Sequence, residues 1–167
     1  MRLGSRVRSA RGGVALVAAL AILAGVALGG GADAVVGGQT LIVTDDDGTE
    51  LLAIPVDEET EVVIEYTHSV EKTTVRDVYT PGDERLVMTR MEFSSFGAGL
   101  PSRADVTVDG SRYVYHPPSE EYSTLHLKTG GVADHDLIVG DERYDIAAMS
   151  DDGAVELTVE RRLTPRL

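Results

Sequence analysis

The chain contains no cysteine. That single absence excludes disulfides, iron–sulfur clusters, thiolate zinc and a cysteine nucleophile, so an exported domain of this composition has to rely on its core alone. Lysine is nearly absent as well: Lys72 and Lys128 are the two present, and the remaining bases are arginines. No Gly-rich segment is followed by Lys-Ser or Lys-Thr, which removes a phosphate loop. Positive charge of any kind is scarce. The formal net charge is −13, and from Val35 onward 27 acidic residues stand against 11 basic ones, a net of −16. Phosphate contacts need clustered Lys and Arg, so nucleic acid is excluded as a partner and an anionic bilayer surface repels the domain. Acidic runs such as Asp45-Asp46-Asp47 and Asp151-Asp152 with so little lysine resemble the solvated acidic coat of proteins from salt-loving microbes, where molar salt screens the self-repulsion. Asp45 to Asp47 lacks the alternating ligands and distal Glu of a calcium loop.

The first 34 residues differ from the rest. Arg2, Arg6, Arg8 and Arg11 precede an unbroken small-and-apolar run from Gly12 to Leu28, the charged and hydrophobic parts of an export signal. The arginines stay inside, which puts residues 35–167 outside the cytoplasmic membrane. Two fates compete: cleavage at the small-x-small sequence Ala32-Asp33-Ala34, or retention as an anchor helix, since the run extended through Val36 approaches the ~20 residues that span a bilayer.

After the leader, β-branched runs alternate with turn residues at the spacing of an all-β fold, a single antiparallel sandwich or barrel-like domain. The predicted strands are 40–44, 50–56, 61–67, 73–80, 85–93, 105–108, 112–115, 137–139, 143–148 and 155–161. Asp46-Asp47-Gly48, Pro81-Gly82-Asp83, Asp109-Gly110 and Asp152-Gly153 supply turns. Residues 94–102 and 116–124, the latter with Pro117-Pro118, break the pattern and read as loops; no amphipathic helix is predicted.

Reactive side chains concentrate in Tyr66-Thr67-His68-Ser69-Val70-Glu71-Lys72. If strand alternation persists there, His68 and Ser69 point to opposite faces, which argues against a local nucleophile–base pair and leaves a hydrogen-bonded structural histidine as the ordinary reading of His68. The four histidines, His68, His116, His126 and His135, have separations that fit no compact metal motif. The second unusual segment, Phe93-Ser94-Ser95-Phe96-Gly97-Ala98-Gly99-Leu100-Pro101, holds both phenylalanines, and its glycines permit positive φ or close backbone approach. A tight, aromatic-anchored turn and a ligand clamp both fit it.

Together, Tyr66 to Val75 and Phe93 to Pro101 resemble the motif segments of a family of small exported proteins of unknown function found with tripartite ATP-independent periplasmic (TRAP) transporters of the TAXI type. The likeness covers about Leu41 to Pro101 well and the remainder loosely. At two positions of the common pattern, the proline after the Lys-Thr pair and the acid two positions after Val75, this chain carries Thr74 and Asp77. The resemblance implies a non-enzymatic accessory protein at the outer face of the cytoplasmic membrane, without cofactor or metal. Its implied partner is the TRAP membrane subunit or the TAXI-type solute-binding protein. The expected functional edge comprises Tyr66, His68, Ser69, Glu71, Phe96, Gly97 and Gly99. The rival expectation is a free-standing extracytoplasmic domain that binds a small ligand or a metal.

Overall fold

Glu61-Val62-Val63-Ile64-Glu65-Tyr66-Thr67 alternates with period two, and the computed structural model makes this segment a strand at the heart of the molecule. The structure describes residues 36–95 and 106–164. The leader and the Phe96–Pro101 part of the glycine-containing segment lie outside the described residues. Among those described, no helix is long and apolar enough to cross a membrane.

Twelve strands form two open antiparallel sheets among the described residues. The smaller has the order β2 (Glu50–Val56), β1 (Val36–Asp45), β12 (Ala154–Thr164), β9 (Leu125–Lys128). The larger runs β11 (Glu142–Asp145), β10 (Asp136–Val139), β3 (Val62–Thr67), β4 (Thr74–Gly82), β5 (Arg85–Phe93), β7 (Arg112–Tyr115), β6 (Val106–Asp109). β8 (Glu120–Tyr122) pairs with the Leu86–Met88 half of β5, while β7 takes the Met91–Phe93 half, so the two short strands lie end to end along one edge. The sheets are open, which corrects the barrel alternative; antiparallel all-β architecture stands.

The main core explains why the sheets associate. Leu41 and Val43 of β1, Val155, Leu157 and Val159 of β12, and Leu125 of β9 share one cluster with Val62 and Ile64 of β3, Tyr79 of β4, Leu86 and Met88 of β5, and Leu137 and Val139 of β10. Each strand contributes alternate residues, as a pleated strand must. A second cluster, Val75 and Phe93 with Tyr66, Met91, Val106, Tyr113 and Tyr115 against them, belongs to the larger sheet alone. Tyr66 and Met91 touch both clusters.

Several local predictions need correction. Pro81 and Gly82 lie inside β4, opposite Leu86 and Arg85, and the tight turn is made by Asp83-Glu84, with Glu84 at φ 54°. Residues 146–148, expected as the end of a strand, belong instead to a single helical turn, α1 (Ile146–Met149); the Asp145 carboxylate accepts a hydrogen bond from the Ala148 N–H at 2.8 Å and fixes its start. The loop expected at 116–124 contains β8. The Asp45-Asp46-Asp47-Gly48 turn is as expected: Asp45 Oδ1 accepts from the N–H groups of Asp47 and Thr49, and Gly48 has φ 80°. Its acids are used in turn geometry.

Candidate functional site

The strand predicted over 61–67 ends at Thr67 as expected, so its alternation does not persist through His68 to Lys72. Residues 68–72 are the turn that joins β3 to β4: the His68 N–H donates to Thr73 O at 2.8 Å, and the Lys72 N–H to His68 O at 2.9 Å. Lys72 takes the left-handed conformation, φ 54°. Within this turn His68 Nδ1 accepts from the Glu71 N–H at 3.1 Å. In the neutral ring this contact leaves the proton on Nε2. His68 is thereby built into the turn, as its structural reading predicted. Replacing it by Ala removes one acceptor from a partly exposed turn; the expected loss is ~1 kcal/mol in urea unfolding, with no change in the unfolding slope.

The turn brings the two motif segments together. Val75 of the first pairs with Phe93 of the second across β4 and β5, and Thr73 Oγ1 lies 3.3 Å from Ser95 Oγ, within hydrogen-bond reach. Ser69, Val70 and Glu71 project at the exposed tip, with Val70 67% exposed. Tyr66, by contrast, is half-buried on the inward face, where its ring stacks on His135 with centroids 5.1 Å apart. The expected edge therefore divides: His68, Ser69 and Glu71 belong to the hairpin tip, Tyr66 to the interior. Phe96, Gly97 and Gly99 lie outside the described residues.

Next to Tyr66 the inward face carries a group that sequence reasoning passed over. Val75, Asp77 and Tyr79 occupy successive inward positions of β4, so Asp77 stands between one residue of each hydrophobic cluster. Its cross-strand neighbours are Ile64 and Met91. Beyond Met91 in the same row comes Tyr115, and beyond Met88 in the row of Tyr79 comes Glu120. Asp77 Oδ1 is closed off from solvent with no hydrogen-bond partner. Burial, with a smaller contribution from the Glu120 charge, pushes the Asp77 carboxyl up to about 7. Burial and the Asp77 charge in turn raise the Tyr66 and Tyr79 hydroxyls, and burial lowers His135. Tyr122 donates to Glu120 Oε2 at 2.7 Å, which with burial and nearby carboxylates pushes its hydroxyl up to about 12, and its ring meets that of Tyr79 edge-on at 6.0 Å. The signal was available: in an alternating strand, Asp77 shares the parity of Val75 and Tyr79.

The outward face of the same sheet is different in kind. Arg76 lies between Glu65 and Glu92, its cross-strand partners, at 3.4 and 3.7 Å. Arg90 bridges Glu92 at 2.8 Å and Glu61 at 2.7 Å, Arg112 reaches Glu92 at 3.0 Å, and Arg143 joins Glu65 at 3.0 Å and Asp136. Four arginines and four acids thus balance across six strands and the residue preceding β3. Glu92, 12% exposed, is the hub. Burial raises its carboxyl, but the Arg90 hydrogen bond and the Arg76 and Arg90 charges outweigh that and hold it below the usual range. Glu92→Gln leaves three guanidiniums around a neutral amide; the expected cost is roughly 1–3 kcal/mol at pH 7, measured by urea unfolding. The sign follows from the lowered carboxyl: the stabilisation is present above the ordinary carboxylate range and lost as pH falls through the folded-state value, so the difference between wild type and variant shrinks toward acid pH.

Among the described residues no three His, Asp or Glu side chains converge in a way that could hold a metal ion. His68 Nδ1, beside Ser69 in sequence, is engaged by the Glu71 N–H of the turn. What the inward region holds is the Asp77 carboxyl near the phenols of Tyr66 and Tyr79, with the charge of the exposed Glu120 acting from β8.

No curated protein and no solved structure matches the chain. A family model described as a domain of unknown function, DUF1850, matches residues 62–146. That stretch opens on Val62 at the start of β3 and closes on Ile146 after β11, so it takes in every strand of the larger sheet together with Tyr66, Asp77, Glu120 and His135. The match spans just over half of the 167 residues, and the chain belongs to the DUF1850 family.

Proposed function

We propose that this chain is a non-enzymatic accessory protein of a TAXI-type TRAP solute uptake system, acting at the outer face of the cytoplasmic membrane. The observation that supports this reading best is the meeting of the two motif segments in one corner of the larger sheet, through the Val75–Phe93 pairing and the Thr73–Ser95 contact. Segments that lie apart in sequence and carry a shared likeness gain a common physical role when they form one surface. The corner ends in an exposed turn whose Ser69, Val70 and Glu71 are available to a partner, on a rigid antiparallel scaffold. The partner is the TRAP membrane subunit or the TAXI-type solute-binding protein, and the leader is the route to the membrane surface.

A photo-crosslinking residue at Val70 tests this in native membranes. The expected result is an adduct with a TRAP membrane subunit or its binding protein, absent when the probe is at Met149, which is 39% exposed on α1. Adducts from neither position, or equal adducts from both, would count against the hairpin corner as the contact surface.

A further inference from the structure

Beside the corner where the two motif segments meet, the outward face of the larger sheet holds a cavity of about 380 Å³. Thr74 of the first segment and Ser94 of the second form part of its wall, with Ser111 from the turn before β7, and all three are exposed. The charged part of the wall is Arg76, Arg112, Glu65 and Glu92. Arg76 is the unusual member. Every other arginine among the described residues donates a hydrogen bond to a carboxylate: Arg90 to Glu61 and Glu92, Arg112 to Glu92, Arg143 to Glu65 and Asp136, and Arg85, Arg161 and Arg162 to surface acids. The Arg76 guanidinium donates none: its Nε lies 3.4 Å from Glu65 Oε2 and its Nη1 3.7 Å from Glu92 Oε2, ion-pair separations without hydrogen bonds. Nε is closed off from solvent, the terminal nitrogens are not, and the side chain is 26% exposed.

The acids of the wall are supplied from outside it. Arg143 donates to Glu65 Oε1 at 3.0 Å and Arg90 to Glu92 Oε1 at 2.8 Å, and neither arginine lines the cavity. Arg112, half exposed, donates to Glu92 through Nη1 at 3.0 Å. The terminal N–H donors of Arg76 are therefore left unused beside a second guanidinium and three hydroxyls. That composition selects a ligand class. Two guanidiniums repel a metal cation, and an apolar ligand meets only charged and hydroxyl side chains. A neutral polyol suits the hydroxyls but gives Arg76 weaker, uncharged acceptors. A phosphate dianion brings two charges toward Glu65 and Glu92, whereas a monocarboxylate brings one and presents two oxygens in the plane that a guanidinium fork matches. The net charge of −16 on residues 35–167 opposes any anion at low salt; at ~1 M salt the Debye length is about 3 Å, so the groups that touch the ligand decide.

We propose that this cavity binds a small hydroxylated monocarboxylate, its carboxylate received by the terminal nitrogens of Arg76 and by Arg112, and its hydroxyl groups by Thr74, Ser94 and Ser111. Thr74 and Ser94 follow and precede Thr73 and Ser95, the pair that joins the motif segments, so the residues that close the corner also hold the cavity wall in place. The site goes beyond the docking reading and does not rest on it: it is tested on the purified chain without a partner, and either can fail without the other.

The test is an amide NMR titration of the intact chain at constant high ionic strength with sodium gluconate, with sorbitol, a neutral polyol of the same carbon chain length, and with sodium phosphate. Expected are saturable gluconate shifts at Thr74, Arg76, Ser94 and Arg112, none with sorbitol, and phosphate binding about tenfold weaker or less. Arg76→Lys keeps the charge and loses the fork, and is expected to bind gluconate at least about tenfold more weakly. Arg161→Lys, which alters a guanidinium that holds Asp83 from the smaller sheet, is expected to bind as wild type does. Sorbitol or phosphate binding as tightly as gluconate, undiminished binding by Arg76→Lys, or no saturable shifts at all would each overturn the proposal. The comparison of the three ligands on the wild type decides the matter even if a variant folds poorly.

Discussion

Replacing Asp77 by Asn is expected to stabilise the protein at pH 8 and to do nothing of the kind at pH 4. In the folded state the carboxyl titrates at about 7, against 3.8 for the ordinary group, so the folded protein holds this proton more tightly than the unfolded chain does. Where the folded state binds more protons, stability falls as pH rises. For Asp77 that fall begins near pH 4, continues to about pH 7 and is complete above it. At about 1.4 kcal/mol per pH unit the ceiling is ~4 kcal/mol, and because Asn keeps a polar amide in the same seam, a gain of about 1–3 kcal/mol is expected at pH 8. His135, lowered by burial, contributes with the opposite sign, since its stabilisation is lost as pH falls. The difference between wild type and variant removes that contribution. Urea unfolding of both proteins between pH 4 and pH 8 at constant salt reads the effect. A variant that is equally or less stable at pH 8 would mean that Asp77 has a compensating partner in the folded state.

Phe93→Ala is expected to cost about 3–5 kcal/mol, the range for removing a buried aromatic ring. Phe93 is 1% exposed, packs on Tyr113 at 5.7 Å, and pairs with Val75 at the point where the two motif segments meet. No residue of the smaller sheet belongs to its cluster, so among the described residues the ring is supported by the larger sheet itself. Loss of the ring therefore leaves β4, β5 and β7 without their shared anchor at that end. Thermal unfolding should show the midpoint falling by roughly 10–20 °C. Val70→Ser, on the exposed tip, is expected to change stability by less than about 0.5 kcal/mol, so the pair separates core from surface at the same corner. A small effect at Phe93 would show that the second cluster is not a packed core.

Much of this architecture is visible in the sequence because its physical causes are local. The Val62, Ile64, Tyr66 alternation marks β3, and the Asp-Gly turns mark the β1–β2 and β6–β7 hairpins. The features that escaped depend on partners distant in sequence. Glu120-Glu121-Tyr122 has no strand pattern of its own and becomes a strand because the Leu86–Met88 edge of β5 is left open beside β7. Four residues are too few for a helical period, so α1 is marked by its Asp145 cap alone. Pro81 looks like a turn residue, yet it sits in β4 and the turn moves to Asp83-Glu84. For the site, local sequence singled out Tyr66 and His68, and the strand end predicted at Thr67 separates them, Tyr66 on the inward face and His68 in the turn. Asp77 was readable by parity, but its isolation from every arginine requires knowing that Arg76, Arg90 and Arg112 turn to the other face.

Recovery of partners from native membranes tests whether the corner built by the two motif segments docks the domain onto a TRAP-type uptake system, as proposed. The full-length tagged protein would be captured in molar salt, and the companions identified by mass spectrometry. The expected result is a TAXI-type solute-binding protein or a TRAP membrane subunit with the wild type, and a marked loss of it when Ser69, Val70 and Glu71 are replaced together. Capture of neither subunit, with the domain folded and at the membrane, would contradict the accessory role.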